Sequence, residues 1–196
     1  MAAELPIELD VHRLADGEVV VFHDPELSRM TGVSGAIGHQ RVEDLAALRL
    51  GGTEARVPLL RDVLDLVDGR VPLVIDVKNE HEVGALERAV VLALRDYTGA
   101  VALQSFNPSS LAWFRRHAPE YLRGLLASDF RRVQLAVHEK FVLRRLLLAF
   151  VADPDYIGYE LRCLPYWAPS LARRLGLPLV AWTVRTPEDL ARHPTS

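Results

Sequence analysis

Glu8, Asp10 and His12 stand at alternate positions in Ile7-Glu8-Leu9-Asp10-Val11-His12. A β-strand sends alternate side chains to one face, so the three are expected to project together. Val19-Val20-Val21-Phe22-His23-Asp24 follows as a second strand-like run that delivers a His-Asp pair where its apolar pattern stops. Ala15-Asp16-Gly17-Glu18 joins the two runs, and Asp-Gly suits the positive φ angles of a tight hairpin turn. Such a hairpin returns His23 to the neighbourhood of Glu8 and Asp10. Two carboxylates ~4 Å apart repel by about 4 kcal/mol at an effective dielectric of ~20, so they call for a cation or a proton between them. Hard oxygen donors suit magnesium or calcium, and an imidazole with an unperturbed pKa near ~6.5 can exchange a proton at neutral pH. The plainer alternative for Glu8 and Asp10 is a salt-bridged strand end, and for His23 a turn cap.

The elements that must position these groups alternate along the chain. Strand-like runs cover 72–78, 100–106, 122–127, 156–161 and 178–184, with helical patterns at 58–67, 80–97, 108–117 and 169–175 between them. Asn107 followed by Pro108 is a helix start. This alternation predicts a parallel sheet with helices outside, either doubly wound or a (β/α) barrel. The barrel is preferred because Glu8, Asp10, Asp76, Lys78, Ser105 and Trp182 fall towards the C-terminal ends of different strands, where barrel enzymes carry their chemistry. About six strands of eight are counted, so an incomplete TIM-type barrel is expected. A single domain is expected over 1–196.

With 196 residues, 49% hydrophobic and 25% charged, the composition is that of a globular chain with a sizeable core. A net charge of -3 offers no basic footprint for nucleic acid. The paired arginines 115–116, 131–132, 144–145 and 173–174 are read as solvated helix faces. The lone Cys163 makes no internal disulfide and is compatible with a reducing compartment, so a cytoplasmic location is expected. The most apolar run, 141–151, is interrupted by Arg144 and Arg145 and is shorter than the ~20 residues of a spanning helix. A helix packed on the domain is expected there, with contact to a membrane surface as the alternative.

Taken in order, several motifs resemble the glycerophosphodiester phosphodiesterase family. They are Ile7-Glu8-Leu9-Asp10-Val11, Ala15-Asp16-Gly17, Val21-Phe22-His23-Asp24-Pro25, Val57-Pro58-Leu59-Leu60-Arg61-Asp62, Val74-Ile75-Asp76-Val77-Lys78, Gln104-Ser105-Phe106-Asn107 and Ala181-Trp182-Thr183-Val184. The resemblance implies a TIM-type barrel and a divalent metal, magnesium or calcium. It also implies hydrolysis of a glycerol phosphodiester to glycerol 3-phosphate and an alcohol. By the same resemblance Glu8 and Asp10 are metal ligands, joined by Asp76 where the family usually has Glu. His23 is an acid/base catalyst, Lys78 contacts the phosphate, and Phe106 and Trp182 line the glycerol side of the pocket.

The family's opening His-Arg-Gly and Pro-Glu-Asn-Thr motifs are not found in the chain, nor is its last strand, which leads to the expectation of a domain truncated at both ends. Open sheet edges would then admit a homodimer, and catalysis by the chain alone would be impaired. A non-catalytic phosphodiester- or partner-binding module and a phosphodiesterase acting on phospholipid head groups are the alternatives. Blander readings also stand beside the individual roles: Asp76 and Lys78 as a same-face ion pair, Phe106 and Trp182 as core aromatics, and Ser105 as a local cap. His12 is read as a mouth-lining or solvent histidine, and Gly32, Gly35 and Gly38 as a surface insertion.

Overall fold

The alternating run at the start forms strand β1 (Ile7–Arg13), and β2 (Val19–Val21) returns antiparallel beside it. These are the first elements of a computed structural model that describes residues 5–79, 82–131 and 135–192. Gly17 takes a φ of 97°, and the Leu14 amide donates to the Glu18 carbonyl at 2.8 Å, closing the expected hairpin. Val11 faces Val21, and the Phe22 amide donates to the Asp10 carbonyl at 2.9 Å. The register therefore delivers His23 beside the acidic end of β1.

Five more strands follow: β3 (Leu73–Val77), β4 (Val101–Ser105), β5 (Leu122–Ala127), β6 (Tyr156–Glu160) and β7 (Leu179–Trp182). The sheet order is β2-β1-β3-β4-β5-β6-β7, parallel throughout except for β2. Six parallel strands match the expected count. Among the described residues the sheet does not close, and β2 and β7 form its margins.

The helices in chain order are α1 (Ser28–Thr31), α2 (Val42–Leu45), α3 (Leu60–Val67), α4 (Ala85–Leu94), α5 (Pro108–His117), α6 (Val137–Arg144), α7 (Ala149–Ala152), α8 (Trp167–Arg174) and α9 (Pro187–Arg192). Residues two apart on a strand share a face. Leu73, Ile75 and Val77 thus form one buried cluster with Leu60, Leu64, Leu86, Val90 and Leu111, while Asp76 and Lys78 point the other way, into the barrel. Leu60, Leu64 and Val67 recur at helical spacing on the buried side of α3. Asn107 caps α5 by accepting from the Ser109 amide at 2.9 Å, with Pro108 in the first turn as expected.

Three expectations change. The segment 141–151 is not one helix: Leu146 adopts a φ of 56°, so α6 ends at Arg144 and α7 starts after a turn. The segment with Gly32, Gly35 and Gly38 is more than a surface insertion, because Leu27 and Ile37 join Leu14, Val20, Phe22 and Leu59 in a second buried cluster over the hairpin. The pattern at 80–97 becomes a helix only at Ala85–Leu94, its first two positions lying outside the described residues, as does Arg132.

Candidate active site

Parallel pairing of β1 with β3 sets Asp10 opposite Asp76. Glu8, two residues before Asp10, shares its face, and one carboxylate oxygen from each of the three lies within 4.8 Å of the others. Lys78, just past β3, answers part of this charge. Its Nζ lies 2.8 Å from Asp10 Oδ1 and donates to Asp76 Oδ2 at 2.5 Å.

The energetics of the cluster follow from charge and burial. Glu8 is pushed from 4.5 up to about 7, first by burial and then by the neighbouring Asp10 and Asp76 carboxylates. Burial also raises Asp76, outweighing the Lys78 ammonium beside it. Burial alone would lower Lys78, but Asp76 and Asp10 override it and hold the ammonium above its ordinary value. One oxygen of Asp76, Oδ1, is buried without a hydrogen-bond partner. A buried carboxylate oxygen left in that condition costs free energy that a cation would recover. Three hard oxygen donors, one carrying this unmet demand, fit a divalent ion.

His23 stands across the cavity mouth. Its Nδ1 lies 2.6 Å from Asp24 Oδ1, and Asp24 is held by Arg29 through two contacts, one from Nε and one from Nη2 at 2.9 Å. The hydrogen bond from Arg29, assisted by His23, lowers Asp24 to about 2. An ionised Asp24 favours the proton on Nδ1 and leaves Nε2 for the cavity. The same hydrogen bond shows that the turn-cap reading of His23 does not exhaust its geometry: 66% of the ring is exposed. His12, by contrast, is buried rather than solvent-facing, and its Nε2 meets the His23 carbonyl at 3.3 Å. It supports the loop that presents His23.

A cavity of about 1390 Å³ opens here, lined by His23, Lys78, Phe106 and Trp182. Phe106 packs edge-on against Trp182 with ring centroids 5.5 Å apart, and Lys78 Nζ lies 5.7 Å from the Phe106 centroid. These aromatics are therefore cavity walls, not only core. Ser105 does make the expected local bonds, donating from Oγ to the Val77 carbonyl at 2.8 Å and accepting from the Asn107 amide at 3.1 Å. The structure thus brings all seven sequence-predicted site residues to one end of the parallel strands.

The chain matches the glycerophosphoryl diester phosphodiesterase family over residues 1–193. It belongs to that family. A glycerophosphodiester phosphodiesterase of Caldanaerobacter subterraneus is 28% identical over 199 residues, covering 95% of this chain and 76% of the relative. Lysophospholipase D GDPD1 of Rattus norvegicus is 33% identical over 89 residues, 39% of this chain. Among solved structures, an Oleispira antarctica phosphodiesterase in complex with the product sn-glycerol-3-phosphate aligns with a TM-score of 0.81 at 20% identity, over 97% of this chain and 77% of that one. An Agrobacterium tumefaciens glycerophosphoryl diester phosphodiesterase aligns at 0.79 and 22% identity, over 98% and 78%. These likenesses establish the incomplete TIM-type barrel fold. Membership makes the chain a phosphoric diester hydrolase by family.

Sequence reasoning missed a second polar group in the same cavity. Asp129, Glu160 and Cys163 bring ligand atoms within 4.8 Å of one another. Arg131 pairs with Asp129 at 3.3 Å, and Arg162 with Glu160. Asp129 follows β5, Glu160 ends β6 and Cys163 lies just beyond it, but no motif marked them. Also missed was Tyr156, whose hydroxyl donates to Gln104 Oε1 at 3.0 Å on the row that runs Asp10, Asp76, Gln104, Gly124, Tyr156 across the sheet. Burial, then Asp76 and Glu8, raises its phenol. Only strand register reveals that row.

Proposed function

We propose that this chain hydrolyses glycerophosphodiesters to glycerol 3-phosphate and an alcohol, using Glu8, Asp10 and Asp76 to hold magnesium or calcium. The observation that carries the reading is the three-carboxylate cluster with an unpartnered buried oxygen on Asp76, set at the mouth of a family barrel beside Lys78 and His23. A bound divalent ion supplies charge stabilisation at the phosphoryl group.

The chain's own residues supply the rest. Lys78 offers its ammonium to the non-bridging phosphoryl oxygens, where negative charge grows as the nucleophile adds. His23, held by Asp24 through Nδ1, moves a proton at Nε2 to the departing alcohol oxygen or from the attacking oxygen. Phe106 and Trp182 give the glycerol moiety an apolar wall, which fixes its orientation without competing for the charge of the phosphate. A single domain over 1–196 is supported by the continuous sheet and by the shared core cluster from Val11 to Ala168. A cytoplasmic location is supported by the unpaired thiol of Cys163, and among the described residues no helix is long and apolar enough to cross a membrane. A homodimer through the unclosed margins at β2 and β7 is read directly by light scattering.

The test is release of glycerol 3-phosphate from glycerophosphocholine by the purified chain, with magnesium, calcium or chelator. Metal-dependent release abolished in a Glu8→Ala/His23→Ala double variant is the expected result. Binding of glycerophosphocholine without release would instead identify a non-catalytic module.

A further inference from the structure

Tyr156 crosses a strand to reach its partner. It stands on β6 and Gln104 on β4, with Gly124 of β5 between them in the same register row. The missing side chain at Gly124 makes the crossing possible, since a Cβ there would lie 2.2 Å from the Tyr156 ring. The foot of Tyr156 is fixed as well. The preceding residue, Asp155, accepts from the Arg123 amide at 2.7 Å, and its own amide donates to the Arg123 carbonyl at 2.7 Å. Held at that reach, the hydroxyl donates to Gln104 Oε1 at 3.0 Å.

Tyr156 thus takes the oxygen end of the Gln104 amide. The donor end, Nε2, remains, and among the described residues it makes no hydrogen bond. On the other side of Gln104 the register continues to Asp76, its direct partner on β3. Ser105, one residue on, clamps the two strand ends together by donating to the Val77 carbonyl at 2.8 Å. Gln104 and Asp76 are both buried, and Asp76 Oδ1 is the oxygen with no partner. An unsatisfied buried acceptor and an amide fixed at one end therefore stand side by side in one row.

We infer that Tyr156 and Gln104 are positioning residues for the ion site: the Tyr156 hydroxyl holds the Gln104 amide so that Nε2 serves the Asp76 carboxylate when that carboxylate takes an ion. This rests on the ion-binding reading proposed above and adds to it the groups that orient a ligand. The need arises from Lys78. Its ammonium donates to Asp76 Oδ2 and is also the group that answers the phosphoryl charge, so it cannot serve both at full strength. An ammonium beside the carboxylates also repels a cation, whereas the amide donor is neutral and supports Asp76 without opposing one. Hydrogen-bond partners of metal ligands typically change metal affinity ~10- to 100-fold when removed.

Calcium, or magnesium if wild type takes that ion instead, is titrated by calorimetry into wild type, Tyr156→Phe, Gln104→Leu, the double variant and Leu64→Ala, each checked for folding by circular dichroism. Leu64 lies in the buried cluster on the helical side of the sheet, so Leu64→Ala reports what lost stability alone does to ion binding. Gln104→Leu should weaken the ion by about tenfold or more and Tyr156→Phe by about threefold or more. The double variant should bind no worse than Gln104→Leu, because the hydroxyl acts only through the amide. Leu64→Ala should bind as wild type does. If Gln104→Leu does not fold, the comparison of Tyr156→Phe with Leu64→Ala decides. Wild-type affinity in folded Tyr156→Phe, a loss matched by Leu64→Ala, or a double variant that shows the product of the two single losses overturns the inference. Tyr156 is then a packing residue, and Glu8, Asp10 and Asp76 still hold the ion. Binding of neither ion by wild type overturns the ion-binding reading itself, and this inference with it.

Discussion

The Lys78 ammonium lies 2.8 Å from a carboxylate oxygen of Asp10, reaching across from the end of β3 to β1. Both side chains are largely buried, 19% and 16% exposed, so neither charge is well served by water. Removing one partner of such a pair leaves the other uncompensated, at a cost of about 3–5 kcal/mol for fully buried pairs and less at this exposure. Lys78→Met is expected to lower the thermal midpoint in chelator. A divalent ion should restore more of the loss in the variant than it adds to wild type, because the variant's carboxylates have lost their internal cation. Differential scanning fluorimetry with and without calcium reads both effects. An equal metal-induced shift in the two proteins would contradict the carboxylates as the ion's site.

Glu8 gives the cluster a pH dependence of definite sign. Its carboxyl rises from 4.5 to about 7 in the fold, so the folded state holds the proton more tightly than the unfolded chain. The associated stability is fully present below pH 4.5 and is lost as pH rises through about 7. In chelator, wild type should therefore lose stability across this window relative to Glu8→Gln, whose side chain does not titrate. Metal affinity should run oppositely, tightening as Glu8 gives up its proton. Urea midpoints between pH 4.5 and 8 check the first slope, and calorimetric titration of calcium at the two ends checks the second.

The strands, the hairpin and the shared face of Glu8 and Asp10 were legible because period-two alternation and the Asp-Gly turn are local signals, whereas Asp76 was joined to them by the family resemblance. Phe106 and Trp182 were placed at the pocket by the family resemblance, Phe106 just after β4 and Trp182 at the end of β7. What escaped was set by distant pairing. The Asp129, Glu160 and Cys163 group spans two connections, and the buried role of His12 depends on the backbone of His23. The break at Leu146 was hidden because an apolar run reads the same in one helix or in two.

Asp24 and His23 form a unit, and Arg29 fixes it. Loss of one positioned general acid or base typically reduces rates ~10²- to 10⁴-fold, and His23→Ala should fall in that range for kcat. Asp24→Asn should lower kcat less, by about tenfold, because the ring loses the carboxylate that orients it. An unchanged kcat in Asp24→Asn would show that the contact with Asp24 does not position the His23 ring for proton transfer.

Gly124 and Tyr156 meet inside the barrel. A Cβ added at Gly124 would lie 2.2 Å from the Tyr156 ring, closer than real carbon contacts allow. Gly124→Ala is expected to destabilise by about 1–3 kcal/mol through overpacking. Tyr156→Phe keeps the ring and loses only the bond to Gln104, so it should cost about 1 kcal/mol. Pairing Gly124→Ala with Tyr156→Ala should recover part of the clash, which a double-mutant cycle in urea measures as non-additivity.

Glu87 is fully buried, yet it is outside the site. Its carboxyl accepts from Asn79 Nδ2 at 2.7 Å, from the Gly84 amide at 2.7 Å and from Ser110 Oγ at 2.5 Å. One side chain therefore ties the loop after Lys78 to the start of α4 and to α5. Glu87→Ala leaves a cavity and removes the acceptor for three donors, each worth about 1–3 kcal/mol if left buried and unpaired. The sum predicts a loss of several kcal/mol at least, with Glu87→Gln retaining some of the bonds and falling between. Asn79 directly follows Lys78, so loosening this loop should misplace the ammonium even in folded protein. Assayed below its midpoint, Glu87→Gln should show a larger change in kcat than in KM, because the phosphoryl charge answered by Lys78 grows after binding. Unchanged kinetics alongside reduced stability would confine Glu87 to the fold.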